Sequence, residues 1–222
     1  MTFPLIISFY TEDTAYEKEA KELIRSCREF NLACLVKPIP SFGSWELNCG
    51  FKPSFILHAL ENLKRDLFWT DADSVFVKKP NSFPLDCDFA VRIDDDLDYE
   101  NPSKVISNSI FIKNSPKTIS LLKMWKSENE KALRAIRDEE IWDQVSLKKV
   151  LFKNNLELNL QPMPKGFCKI ADLQKDKVAK DELFIVHYQA SRLYKKWINK
   201  ELVEFDELKS LNEENLKKIR GF

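Results

Sequence analysis

Apolar residues fall along this chain in short continuous runs and in helix-spaced sets, with polar stretches between them. Pro4-Leu5-Ile6-Ile7-Ser8-Phe9 is such a run and predicts the first strand, placed centrally in a sheet. Tyr10-Thr11-Glu12-Asp13 reads as a loop, with Asp13 or Thr14 positioned to cap the helix behind it. In that helix Tyr16, Ala20, Leu23, Ile24, Cys27 and Phe30 recur at helical spacing. Leu32 to Val36 predicts a second strand, and a β-α-β opening favours parallel pairing. Pro38 to Pro53, carrying Pro38, Pro40, Gly43 and Gly50, predicts a long loop, a length that is often functional. Pro53 opens a helix whose Ile56, Leu57, Leu60 and Leu63 face inward, with His58 as a structural surface residue. Leu67 to Trp69 then reads as the end of a strand covered on both faces.

The second half continues the alternation. Asp88 to Ile93 predicts a strand, and the acidic stretch Asp94 to Glu100 a solvated, mobile loop. The alternative for that stretch is a contact to a second cation or a polar substrate. Val105 to Lys113 is strand-like but holds Ser107-Asn108-Ser109. Pro116 begins a helix with Ile119, Leu122 and Trp125. The charged segment Met124 to Glu140 predicts a solvated helix or helical hairpin, and Ile141 to Phe152 an apolar helix bearing Asp143 and Gln144. Leu156 to Leu160 predicts a short strand, and Pro162, Pro164 and Gly166 a bend. Leu183 to His187 is the last strand, and helix follows from about Leu193 to Arg220.

Composition narrows the class. A chain of 222 residues fits one domain. Its 35 basic and 35 acidic side chains cancel, which argues against a dedicated nucleic-acid binder. The five cysteines have no C-x-x-C spacing and read as reduced core thiols of a cytoplasmic protein. Met1 to Tyr10 has no basic region and is expected to be a strand, not a signal peptide. The sequence contains no run of 18 apolar residues, so no transmembrane segment is expected.

The candidate chemistry lies in Phe68-Trp69-Thr70-Asp71-Ala72-Asp73-Ser74-Val75-Phe76. Asp-x-Asp occurs elsewhere (Asp86/Asp88, Asp94/Asp96, Asp96/Asp98), but only Asp71/Asp73 stands between two apolar runs. A strand that stops at Asp71 delivers both carboxylates to its carboxyl end, where open α/β sheets bind ligands. Two acids there suit a divalent cation, and a cation suits a phosphate.

Four pieces in this order resemble the GT-A fold nucleotide-sugar glycosyltransferases, most closely the group of glycogenin and the bacterial lipooligosaccharide galactosyltransferases. They are the first strand with Ser8 to Glu12, Gly50-Phe51-Lys52-Pro53 with its helix and the Asp71-Ala72-Asp73 run, the pair Asp143-Gln144, and Ile185-Val186-His187 with Lys195, Lys196 and Trp197 beyond. The resemblance covers residues 3 to 197. It departs after the histidine, where Ala190-Ser191-Arg192 and Lys196-Trp197 stand in place of the family's glycine and Lys-Pro-Trp.

The resemblance implies an α/β protein: one Rossmann-like GT-A domain over residues 1–192, a mostly parallel mixed sheet flanked by helices, and a helical extension over 193–222 packed on it. A peripheral membrane or partner contact is the alternative for that extension. It also implies a transferase that moves a sugar from a nucleotide sugar, a UDP-sugar by preference, to a glycan, lipid-linked or protein acceptor. Asp73 and His187 would ligate Mn²⁺ or Mg²⁺, with Asp71 binding ribose and the metal shell and a core histidine the alternative for His187; an imidazole ligand tilts the choice toward manganese. Phe9, Tyr10 and Thr11 would hold the base, with core packing the alternative for Phe9. Lys52 would offset ribose or phosphate charge, with a solvated loop lysine the alternative, and Arg192 would meet the departing diphosphate. Ser107, Asn108, Asp143 and Gln144 would hold the donor sugar; Gln144 would lie near the reacting carbon if the reaction retains, and Asp143 or Glu140 would be the base if it inverts. Two rivals stand beside this reading. One is a haloacid-dehalogenase-type phosphohydrolase using Asp71 and Asp73. The other is a non-catalytic sugar-nucleotide or protein-binding module on the same fold.

Overall fold

The computed structural model describes residues 3–83, 86–134, 143–153, 157–173 and 177–198, with the backbone alone for Leu193, Lys196 and Trp197. The chain runs through β1 (Leu5–Thr11), α1 (Tyr16–Glu29), β2 (Cys34–Ile39), α2 (Trp45–Gly50), α3 (Lys52–Leu63), β3 (Leu67–Thr70) and β4 (Ser74–Phe76). It continues with β5 (Phe89–Ile93), β6 (Val105–Ile112), α4 (Pro116–Arg134), α5 (Asp143–Lys153), β7 (Leu160–Pro162), β8 (Lys169–Ile170), β9 (Ile185–His187) and α6 (Ser191–Ile198).

Six strands form one mixed sheet in the order β2-β1-β3-β6-β5-β7. β1 pairs in parallel with β2 and β3, and β5 with β7; β6 runs antiparallel between β3 and β5. The expected mostly parallel mixed sheet flanked by helices is therefore the observed architecture. β1 is not its centre: it lies one strand in from the β2 edge, and β3 and β6 take the middle.

Adjacent residues on a strand point to opposite faces, so each apolar run feeds two cores. Ile7, Trp69, Ile110 and Ile112 point to one face, against Ile56 and Leu60 of α3, Leu122 and Trp125 of α4 and Leu147 of α5. Ile6, Phe68 and Phe111 point to the other, against Leu23 and Cys27 of α1, and Phe76 and Ile185 of a second, three-stranded sheet ordered β4-β9-β8. That small sheet completes the second layer beside α1.

Several local expectations shift. The segment Pro38 to Pro53 is not structureless: β2 runs on to Ile39, and Ser44 caps α2 by accepting from the Leu47 amide. β1 likewise continues through Tyr10 and Thr11, and the Thr14 hydroxyl, not Asp13, accepts from the first amide of α1. The strand expected at Leu156 to Leu160 begins only at Leu160. The last strand pairs with β4 and β8, outside the main sheet. α4 buries Asn129 and Leu133, so its charged half is anchored and not wholly solvated. Glu140, Ile141 and Trp142 lie outside the described residues, as does the expected helix beyond Ile198.

Gly166 illustrates how tightly the small sheet is closed. A Cβ there would stand 1.8 Å from the Glu182 carbonyl oxygen, and the Gly166 carbonyl accepts from the Phe184 amide, just before β9. Backbone, not a flexible side chain, would have to move. Gly166→Ala is expected to destabilise the protein by about 1–3 kcal/mol. Urea unfolding should show a lower midpoint at unchanged slope.

Candidate active site

β3 ends because the chain turns sharply after Thr70. The Ser74 amide and hydroxyl both donate to the Asp71 carbonyl, and the Thr70 and Ser74 hydroxyls are 2.8 Å apart. This turn carries the chain from the large sheet into the small one. Asp71 leaves from the end of β3; Asp73 leads into β4, whose Ser74 is in register with His187 of β9. One ligand atom from each of Asp71, Asp73 and His187 lies within 4.8 Å of the others.

The environment of these groups suits a cation. His187 is 1% exposed, its Nε2 lies 2.9 Å from the Ser109 hydroxyl, and its Nδ1 makes no hydrogen bond. Burial, with help from the Lys52 and Arg92 charges, pushes its pKa down to about 3, so the imidazole is neutral, the form that ligates metals. Asp73 is 8% exposed; burial first and the Asp71 charge second push its carboxyl up to about 7. Burial also raises Asp71, although Lys52 opposes the rise. A cation between the carboxylates would offset both effects. One oxygen of Asp73 already accepts from the Ala190 amide at 2.7 Å, and its carbonyl accepts from Tyr188. The acid is thereby tied to the entry of α6.

Lys52 is neither a loop lysine nor open to solvent. It begins α3, is 5% exposed, and sets its amine 3.0 Å from Asp71 Oδ1 and 2.8 Å from Asp143 Oδ2. The amine also donates to the Ser107 hydroxyl and carbonyl, at 3.1 and 3.3 Å. Burial alone would depress its pKa, but Asp143 and Asp71 outweigh burial and hold it above the ordinary range. Trp69 Nε1 donates to the same Asp71 oxygen, and the Ser107 hydroxyl to the same Asp143 oxygen.

A cleft of roughly 680 Å³ opens over the carboxyl ends of β1, β3 and β5. Phe9, Tyr10, Thr11, Lys52, Asp71, Asp73, Ser107, Asn108, Asp143, Gln144 and Arg192 all line it. His187 sits just behind, against Ser109. The Phe9 ring packs among Phe51, Phe55 and Trp69, so it belongs to the aromatic core beneath the cleft as well as to its wall. Arg192 pairs with Asp172, and Gln144 donates to the Pro102 carbonyl.

Other lining residues escaped the sequence reading. Tyr16 was counted as a helix position; it accepts from Trp45 Nε1 at 3.2 Å, packs edge-on to Tyr194 of α6, and burial holds its phenol well above the usual range. Lys195 lies 4.6 Å over the Trp45 ring and 3.0 Å from Glu46. Asn48 and Cys49 join them from α2. The available signal was Trp45 inside a segment read as loop, since a large aromatic in a polar loop needs a surface to cover.

Known proteins resemble this chain in sequence family and in fold. A family model described as nucleotide-diphospho-sugar transferase matches residues 50–197. No curated protein gives a match. Among solved structures, a glycosyltransferase involved in the glycosylation of the major capsid of PBCV-1 aligns with a TM-score of 0.64 and 14% identity, covering 90% of this chain and 100% of that one. The glycosyltransferase GlyE of Streptococcus pneumoniae TIGR4 aligns with a TM-score of 0.51 and 14% identity, over 99% of this chain and 64% of that one. These likenesses show the fold, the GT-A arrangement expected from the sequence. The family segment spans well over half of the sequence and includes the Asp71-Ala72-Asp73 turn, the Asp143-Gln144 pair and His187. The chain belongs to the nucleotide-diphospho-sugar transferase family, and the chemistry of that family is sugar transfer.

Proposed function

We propose that this enzyme transfers a sugar from a nucleoside diphosphate sugar, a UDP-sugar by preference, to an acceptor hydroxyl, and that the reaction depends on a divalent cation. The observation that carries the proposal is the convergence of Asp71, Asp73 and His187 donor atoms within 4.8 Å at the floor of the cleft. Two carboxylates and a neutral imidazole form a mixed oxygen–nitrogen donor set, which suits Mn²⁺ better than Mg²⁺. A bound cation would supply charge stabilisation for a departing diphosphate.

The chain's own residues set up the rest. The acceptor oxygen bonds to the anomeric carbon, the bond from that carbon to the phosphate oxygen breaks, and its electron pair leaves with the diphosphate. The acceptor proton ends on the diphosphate or in water. Tyr10, Thr11 and Tyr16 would hold the nucleoside over the β1 end of the sheet. Ser107, Asn108, Asp143 and Gln144 would orient the sugar. Asp143 Oδ2 is engaged by Lys52 and Ser107, which suits it to positioning a sugar hydroxyl through Oδ1. Lys52 acts through the two acids it holds. Arg192 and Lys195, both on the cleft side of α6, would meet the diphosphate once released from Asp172 and Glu46. The haloacid-dehalogenase reading loses its support, because the family model that matches residues 50–197, the Asp71-Ala72-Asp73 turn included, is that of nucleotide-diphospho-sugar transferases.

A panel of nucleotide sugars scored by thermal shift, with and without Mn²⁺, tests the reading directly. The expected result is a shift for a UDP-sugar that requires the metal; binding with no donor hydrolysis or transfer would make the protein a non-catalytic module. Asp73→Asn should remove the Mn²⁺-dependent shift and lower turnover at least about 100-fold with the fold intact. Near-normal turnover at saturating manganese would overturn the metal assignment. Gln144→Ala should lower kcat about tenfold while changing nucleotide affinity less than twofold. Lys52→Met leaves the buried Asp143 and the half-buried Asp71 without their counter-charge and should cost about 2–4 kcal/mol in urea unfolding. The double variant Lys52→Met/Asp143→Asn should recover part of that stability.

A further inference from the structure

α1 reaches the cleft with its first residue, Tyr16, and its other end carries a separate piece of chemistry. The helix stops because Asn31 takes a left-handed backbone, with φ 54°, a conformation that asparagine tolerates better than most residues. The Asn31 amide donates to the Arg28 carbonyl at 3.1 Å, and the Leu32 amide to the Cys27 carbonyl at 2.8 Å. This pair of bonds is a Schellman motif, and it folds the chain back over Cys27. β2 then starts at Cys34.

Register decides where the Cys34 side chain goes. Its partner in the parallel ladder is Ile6 of β1, and partners in adjacent strands face the same side of a sheet. Ile6 lies on the α1 side, in one apolar cluster with Leu23 and Cys27, and Cys34 packs against that cluster. The two thiols are hydrogen-bond partners. They are not equivalent: Cys27 is fully buried and Cys34 half-buried, so solvent reaches Cys34. The contact with Cys27, opposed by burial and aided by the Arg28 charge, brings the Cys34 thiol down to about 7. The same contact, with burial, holds Cys27 well above the ordinary thiol range. An accessible thiolate beside a protonated thiol is the arrangement of an attacking and a resolving cysteine. The other cysteines are placed differently. Burial raises Cys49 and Cys87, and the Cys168 sulfur faces the Met163, Pro164 and Lys165 carbonyls.

We infer that Cys27 and Cys34 form a modification site, a dithiol that a hydroperoxide converts reversibly to a disulfide. The Cys34 sulfur attacks one peroxide oxygen, the O–O bond breaks, and the departing hydroxide takes up the thiol proton as water. The Cys27 sulfur then attacks the sulfur of the Cys34 sulfenic acid. The S–S bond forms, the S–O bond breaks, and the hydroxyl leaves with the Cys27 proton as a second water. Two thiols are oxidised to one disulfide, and the peroxide is reduced by two electrons. The helix end and the strand start already hold the sulfurs in contact, so the bond forms with little movement. β2 is the edge strand of the large sheet, next to β1 alone in the strand order of the described residues. The link therefore fastens to α1 a strand held in the sheet by a single ladder.

The test uses the full chain, reduced, freed of reductant and treated with stoichiometric hydrogen peroxide. Trypsin cuts after Arg28, between the two cysteines, so the disulfide is read as two joined peptides lighter by two hydrogens than their sum. A dithiol reductant should separate them. Before oxidation, Cys34 should react with iodoacetamide at least about tenfold faster than the half-buried Cys49. Cys34→Ser should abolish the link and slow peroxide consumption at least about tenfold. Cys27→Ala, which keeps the buried site apolar, should instead accumulate the Cys34 sulfenic acid, captured with dimedone. The linked chain should melt several degrees higher than the reduced one. Peroxide treatment that leaves both thiols free would overturn the proposal. So would a link between Cys34 of two copies, direct passage of Cys34 to the sulfinic acid in the unsubstituted chain, alkylation of Cys34 no faster than Cys49, or a lower melting temperature on linking.

Discussion

The site depends on a lysine buried between two acids. Lys52, Asp71 and Asp143 come from the start of α3, the end of β3 and the start of α5, and the Ser107 hydroxyl and carbonyl close the group from β6. Taking an ammonium out of water costs several kcal/mol, and close carboxylates with further hydrogen bonds are what offset it. The arrangement therefore gains little net stability but a great deal of definition. None of the four side chains can turn away without leaving another charge or hydroxyl unpaired. Asp71 is fixed on one side by this group, and its remaining freedom points into the cleft.

The second constraint is the join between the two sheets. A three-residue turn carries the chain from β3 to β4, so Asp71 belongs to the large sheet and Asp73 to the small one. His187 arrives by strand pairing with β4, not through the large sheet. The three donor atoms are thus held by two rigid bodies that share one aromatic core, in which Phe68 and Phe167 pack at 5.9 Å. Asp73 adds a third attachment through the Ala190 amide, so the helix that lines the outer wall of the cleft starts from a candidate metal ligand.

Much of this was legible in the sequence. Continuous apolar runs such as Leu67 to Trp69 reported burial on both faces, and the Asp-x-Asp between two such runs located the turn. The polar triplet Ser107-Asn108-Ser109 inside a strand marked the place where β6 crosses the cleft. What stayed hidden depends on tertiary partners. Nothing local distinguishes a strand in the large sheet from one in the small sheet, so the address of Ile185 to His187 could not be read. Lys52 looked like a loop lysine because the acids that neutralise it lie 19 and 91 positions further along the chain. The helix at Trp45 was masked by the prolines and glycines around it, and it hid the aromatic and thiol groups it brings to the cleft. The acidic stretch read as free because the lysine that pins it, Lys148, which donates to the Tyr99 and Asn101 carbonyls, lies on a helix far along the sequence.

The pairing of β4 with β9 has a kinetic side. The cleft collects residues from near both ends of the described chain, and its candidate ligands meet only through contacts of large sequence separation. Loop closure over such distances is slow and comes after local helices and hairpins have formed. During synthesis β1, β3 and β6 can assemble a sheet edge before the histidine strand has left the ribosome. The acids after β3 precede the imidazole by more than a hundred positions, so the three candidate ligands come together only when β9 pairs with β4.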